Sequence, residues 1–163
     1  MTDRQVMIEI SISQQKLYLK SADTVLREYP VSTARNGAGE EQDSECTPRG
    51  MHEIAEKIGA GSPPGTVFVG RESTGETYHP ELRTQYPDRD WILTRILWLR
   101  GLETGKNAGD PRDSYNRYIY IHGSPDDVTM GSPGSRGCIR MRNADVIELF
   151  ERVDTGTRVN IYA

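Results

Sequence analysis

Residues 6–13, VMIEISIS, put an apolar side chain at every second position. Val6, Ile8, Ile10 and Ile12 take one side; Met7, Glu9, Ser11 and Ser13 take the other. A segment with that period is satisfied as a half-buried strand and not as an amphipathic helix. The same pattern recurs along the chain. After a turn near residues 13–15, KLYLK (16–20) reads as the second arm of a hairpin. TVLREYPVST (24–33) reads as a third strand, and TPRGMHEIAEKIG (47–59) as a strand launched from a Pro-Gly turn. GSPPGTVFVG (61–70) holds a turn and a short strand, WILTRILWL (91–99) a buried one, and YNRYIYIHG (115–123) and TRVNIYA (157–163) two more. Only NADVIELFERV (143–153) has helical spacing: Val146, Ile147, Phe150 and Val153 share a face, Asn143 suits the N-cap, Asp145 the first turn, and Gly156 the stop. With 16 glycines and 9 prolines in the turns, the expected fold class is mainly β with one helix near the C-terminus.

The chain's 163 residues suit one domain, 1–163, large enough to bury a core without disulfides or metals. Twenty basic against 24 acidic residues give a net charge of −4, which argues against nucleic acid as a partner. No apolar run is long enough to span a membrane. The N-terminus MTDRQVMIEISIS has no apolar stretch of a secretion signal, so an export leader is not expected within this sequence. The histidines, His52, His79 and His122, lack zinc-site spacing, so no metal is expected. Two polar segments, 71–90 and 101–114, are long for a compact domain, and one of them is expected to act as a lid.

GSPGSRGCIRM (131–141) holds Cys138, one of two cysteines. A structural cysteine usually sits inside a regular element; this one follows glycines that let backbone N–H groups converge on an anion. Such a nest suits a thiolate and the oxyanion formed when it attacks a carbonyl. With Arg136 and Arg140 close in sequence, the thiol pKa is expected below its free value of about 8.5. A nucleophilic thiol needs a base. His122, at the end of a strand, is the candidate, oriented by a carboxylate such as Asp126 or Asp127 or by a backbone carbonyl. The remaining residues of note have plainer readings. His52 is a strand or core residue, His79 a loop residue, Trp91 and Trp98 core. Tyr115, Tyr118 and Tyr120 pack a sheet face, and Glu40, Glu41, Asp43 and Glu45 lie in a solvated loop.

IHG (121–123), SRGCIRM (135–141) and NADVIELF (143–150), with TPRG (47–50) upstream, resemble the active-site segments of the L,D-transpeptidase catalytic domain family, the YkuD-like fold. The likeness runs from about residue 5 to 162 and implies a single β-sandwich or barrel domain. It implies Cys138 as nucleophile, His122 as base oriented by the Gly123 carbonyl, and the N–H groups of Gly137 and Cys138 as oxyanion hole. Arg140 would hold the loop or a substrate carboxylate, and Ser135 would shape the turn. One position departs: Arg136 stands where the family carries histidine, which bears on rate or substrate choice.

The resemblance implies acyl transfer on peptidoglycan without a cofactor. The donor would be a tetrapeptide stem, cut at its third residue with loss of a terminal D-residue, and the acceptor an amine. Water as acceptor would make the protein an L,D-carboxypeptidase. A peptidoglycan-binding module without turnover is the rival from another class, and a redox thiol paired with Cys46 a weaker one. The family works in the cell envelope, so that is the expected location.

Overall fold

The computed structural model describes residues 5–163. The expectation about a leader falls partly on residues 1–4, outside the described residues. Strands β1 (Val6–Ser11) and β2 (Lys16–Ser21) form the expected hairpin, with Ile8 opposite Leu19 and Ile10 opposite Leu17. All four side chains are buried, and burial of each contributes about 1.5–3 kcal/mol. β3 (Thr24–Pro30) and β4 (Gly50–Ile58) follow, then β5 (Thr66–Val69) and β7 (Ile92–Gly101). The last strand, β10 (Arg158–Tyr162), returns beside β1 in parallel. One sheet results, in the order β3-β2-β1-β10-β4-β7-β5 and then β6 (Glu72–Thr77), with β8 (Tyr120–Gly123) on β7 and β9 (Ile139–Met141) on β8.

The two faces of β7 organise the interior. Leu97 and Leu99 join Ile121, Ile139 and Met141 in the main core, under Val146, Leu149 and Phe150 of the helix Asn143–Arg152. Ile96 and Trp98 point the other way, into a smaller cluster with Phe68 and Tyr120. Trp91 and Trp98 are both buried, as expected.

The mainly β class stands, with these differences. Segment 71–90, read as loop, contains strand β6 (Glu72–Thr77) and a short helix, α1 (Pro80–Gln85). β6 carries no apolar residue, so its sequence has no period to read. Residues 114–118 form turns, so β8 starts at Tyr120, and the three-residue β9 has no counterpart in the sequence reading. The C-terminal helix, α2, is capped at Arg142 without a side-chain bond. Asn143 instead accepts a hydrogen bond at Oδ1 from Thr94 Oγ1 at 2.6 Å. Ile147 is only half-buried, and Leu149 takes its place in the core. Among the described residues no helix is long and apolar enough to cross a membrane.

Candidate active site

Cys138 and His122 reach the site from two neighbouring strands. β8 and β9 run parallel, with Ile121 opposite Ile139, His122 opposite Arg140 and Gly123 opposite Met141. Cys138 directly precedes β9 and stands two residues before Arg140, so it shares a face with His122 at one diagonal step. That face is also the one to which Ile96 and Trp98 of β7 belong, since Ile96 pairs with His122 and Trp98 with Tyr120. The helix lies on the opposite side.

The loop before Cys138 is held at nearly every residue. Gly134 and Ser135 donate backbone hydrogen bonds to the Thr33 carbonyl, each at 2.9 Å, and Arg140 donates to Ser32 at 2.9 Å. Ser135 Oγ donates to the Cys138 carbonyl at 2.6 Å and accepts from the Gly137 N–H at 3.1 Å. Thr47 Oγ1 donates to the Gly137 carbonyl at 2.9 Å. Gly137 has φ +128°, and a Cβ there would stand 3.2 Å from the Cys46 carbonyl, which is why this position is glycine. Ser135 thus shapes the turn, but it also occupies the amide that the family pattern assigns to the oxyanion hole.

The thiol is partly buried. Cys138 Sγ accepts a hydrogen bond from Tyr120 N–H and donates one to the Tyr118 carbonyl, both at 3.3 Å. It packs against the Phe68, Ile96, Trp98 and Tyr120 cluster. Burial pushes its pKa up to about 12; Asp90 adds to the rise, while the Tyr120 N–H, Arg140 and Arg117 oppose it. This overturns the expectation of a lowered pKa. The glycine nest sends one amide to Ser135 and none to sulfur, and Arg136 is exposed. Local composition indicated the charges but not the desolvation that outweighs them.

His122 is fully buried. Its Nδ1 lies 2.6 Å from the carbonyl oxygen of Gly123. A carbonyl only accepts, so Nδ1 carries the proton and Nε2 the lone pair. Nε2 has no partner among the described residues. Burial lowers the imidazole pKa, with Asp90 and the Gly123 carbonyl raising it in part and Arg140 lowering it further. At rest, therefore, a neutral thiol that donates to Tyr118 and a neutral imidazole share this face, with no hydrogen bond between them. Asp126 and Asp127 do not orient the ring: Asp126 accepts from Asn143 Nδ2 at 3.4 Å, and Asp127 pairs with Arg83.

Asp90 was not anticipated from the sequence. Its Oδ1 lies 3.5 Å from Arg140 Nη2, and that ion pair acts on both Cys138 and His122. Asp90, Arg136, Tyr118 and Tyr120 line, with Cys138, a cavity of about 420 Å³. The tyrosines are therefore not simply sheet packing, and Tyr118 is 54% exposed. Arg71 forms part of the wall, its guanidinium 4.8 Å from the Trp98 ring centre and 3.1 Å from Tyr120 Oη. Of the two polar segments, 71–90 supplies Arg71 and Asp90 to this cavity. Segment 101–114 instead braces β4, with Asn107 Nδ2 donating to the Arg49 and Met51 carbonyls at 3.0 and 3.1 Å. His52 is a core residue, as expected, bonded through Nε2 to Ser114 Oγ at 2.8 Å. His79 is exposed. In the acidic loop Glu40 pairs with Arg49 and Glu41 with Arg112. A separate cavity of about 640 Å³, lined by Tyr78, Leu93 and Ile147 among others, contains neither Cys138 nor His122.

A partly buried thiol, a neutral imidazole with a free lone pair on the same face, and a cavity opening at the sulfur can support nucleophilic acyl transfer. The YkuD family, the L,D-transpeptidase catalytic domain, matches residues 5–161. Among curated relatives, the Escherichia coli K12 protein called "Probable L,D-transpeptidase ErfK/SrfK" is 33% identical over 100 residues, 59% of this chain and 30% of that protein. The solved structure of L,D-transpeptidase 3 from Mycobacterium tuberculosis superposes with a TM-score of 0.60 at 17% identity, covering 98% of this chain and 61% of that one. Bd1075 of Bdellovibrio bacteriovorus superposes with a TM-score of 0.61 at 16% identity, covering 98% and 48%. At such identities these two structures speak for the fold. The matched stretch spans about a third of the curated relatives, such as 30% of the E. coli protein.

Proposed function

The chain belongs to the L,D-transpeptidase catalytic domain family, and from that premise we propose that it is a cysteine-dependent L,D-transpeptidase acting on peptidoglycan stem peptides. The observation that carries the reading is the fixed tautomer of His122. Its Nδ1–H is committed to Gly123, and its Nε2 lone pair is unpartnered on the face it shares with Cys138.

Because both groups rest neutral, the thiol proton moves as sulfur attacks. Cys138 Sγ bonds to the carbonyl carbon of the third stem residue, and its proton passes to His122 Nε2. The Gly123 carbonyl stabilises the imidazolium through Nδ1–H. The Cys138 N–H is the donor this reading assigns to the developing oxyanion. The Gly137 N–H joins it only by leaving Ser135 Oγ. Collapse breaks the peptide bond, His122 protonates the departing amine of the terminal D-residue, and a thioester remains. An acceptor amine attacks the thioester, gives its proton to His122, and the thiol is restored. Water in place of the amine gives the tripeptide instead. The site of action is the cell envelope, where the substrate lies.

Intact-mass analysis after brief exposure to a disaccharide-tetrapeptide tests this step. An adduct on Cys138 equal to the donor minus its terminal residue supports the thioester, and its absence under turnover refutes it.

A further inference from the structure

Beside the Cys138 cavity lies a second one of about 510 Å³, lined by five arginines, Arg35, Arg83, Arg89, Arg136 and Arg140, against the carboxylates Glu45 and Asp90. The two cavities share Asp90 and Arg136. Three of the five cations are matched: Arg83 with Asp127, Arg89 with Glu76 at 3.1 Å, and Arg140 with Asp90 at 3.5 Å. Arg35 and Arg136 have no ionic or hydrogen-bonded side-chain partner among the described residues, though the fold holds them together. Ala34 pairs with Ser135 as an isolated parallel bridge, and the Arg35 N–H donates to the Ser135 carbonyl at 2.9 Å. The next residue on each segment is thus an arginine. The bridge thus sets two arginines on neighbouring segments at the wall of one cavity, and the loop tethers that hold Cys138 also fix that placement.

From this pairing we propose that Arg35 and Arg136 form a subsite for a free carboxylate of the stem peptide, so that the protein discriminates against amidated donors. The inference rests on the function proposed above. A carboxylate is the group that a guanidinium fork recognises through two parallel hydrogen bonds. It also supplies the charge that the pair lacks. Arg136 belongs to both cavities, so a peptide held at Cys138 extends past it into the arginine-lined space. This gives a physical role to the arginine that replaces the family's histidine. Two carboxylates of a stem could be the one bound: the terminal α-carboxylate of the leaving residue, or one on a side branch upstream.

Three tetrapeptide donors test this: free acid, terminal amide, and side-branch amide. With the wild type, one amide is expected to lower kcat/KM about tenfold or more, the size of one charged hydrogen-bonded contact, and which amide does so identifies the carboxylate. In an Arg35→Gln/Arg136→Gln variant that ratio should fall towards one. Equal turnover of all three donors by the wild type, or undiminished discrimination by the variant, overturns the subsite. Failure to turn over any donor counts against the proposed function instead. A binding arm then decides the subsite separately. Titration of Cys138→Ala protein with free-acid and fully amidated peptide should show tighter binding of the acid, lost with both arginines replaced. Equal binding of the two peptides refutes the subsite.

Discussion

Asp90 Oδ1 lies 3.5 Å from Arg140 Nη2, and the pair they form is the charged neighbour that Cys138 and His122 have in common. Asp90 raises both pKa values and Arg140 lowers both. Asp90→Asn is therefore expected to move the Cys138 titration to lower pH, and Arg140→Gln to higher pH. Thiol alkylation rates against pH, in a Cys46→Ser background, measure both. Shifts in the same direction for the two variants would refute the arrangement.

The same experiment on the unmodified site tests the neutral resting pair. With burial holding the thiol near 12, alkylation at Cys138 should begin well above the free-thiol range of about 8.5. An onset at or below that range would mean that a thiolate–imidazolium pair exists at rest.

His122→Ala removes the proton acceptor while leaving the thiol in place. Loss of a general base typically reduces turnover by about 10²–10⁴-fold, and the residual rate should rise with pH as hydroxide deprotonates Cys138. Steady-state kinetics across pH checks this. A loss under tenfold would remove His122 from the proposed mechanism.

Much of this site was visible in the sequence, for identifiable reasons. Cys138 stands out because a thiol among glycines lies outside any apolar period, and His122 because it ends a strand of β-branched and aromatic residues. Asp90 did not, since it comes from a segment far along the chain and reaches Cys138 only through the start of β7. β9 is three residues long, too short for any period, and β6 carries only polar residues and a glycine. The direction of the Cys138 shift is not legible in the sequence, because charge is written in local sequence while enclosure is a property of the folded chain. The engagement of the Gly137 amide with Ser135 is likewise a matter of backbone direction, which residue identity does not encode.

Gly123 serves His122 through its carbonyl and β7 through its missing side chain. A Cβ there would lie 2.7 Å from the Leu93 carbonyl oxygen, which belongs to the backbone and cannot swing away. Gly123→Ala should therefore destabilise the fold by about 1–3 kcal/mol, as overpacking does, and also misplace the imidazole. Chemical denaturation would show the first effect; an unchanged midpoint would contradict it.

His52 contributes to acid stability, alongside His122, whose pKa burial also lowers. His52 is buried, bonded to Gly50 and Ser114, and burial lowers its pKa to about 4. The unfolded chain takes up a proton near pH 6.5 that the folded chain refuses until about pH 4. Stability is thus fully present above the higher value and is lost as pH falls through that window, by about 3 kcal/mol in all. Denaturation midpoints between pH 7 and 4 should fall accordingly, and His52→Gln should make the profile shallower between those values, leaving the share that His122 contributes. An equally steep fall in the variant would assign the loss to other groups.

Release of the terminal D-residue from a disaccharide-tetrapeptide, followed by chromatography and mass spectrometry for the wild type and Cys138→Ala, tests the central claim most directly. The wild type is expected to release it and form a cross-linked dimer when an amine acceptor is present, and Cys138→Ala, folded, to release none. Equal release by both proteins, or none by a folded wild type, would contradict thiol-dependent acyl transfer at this site.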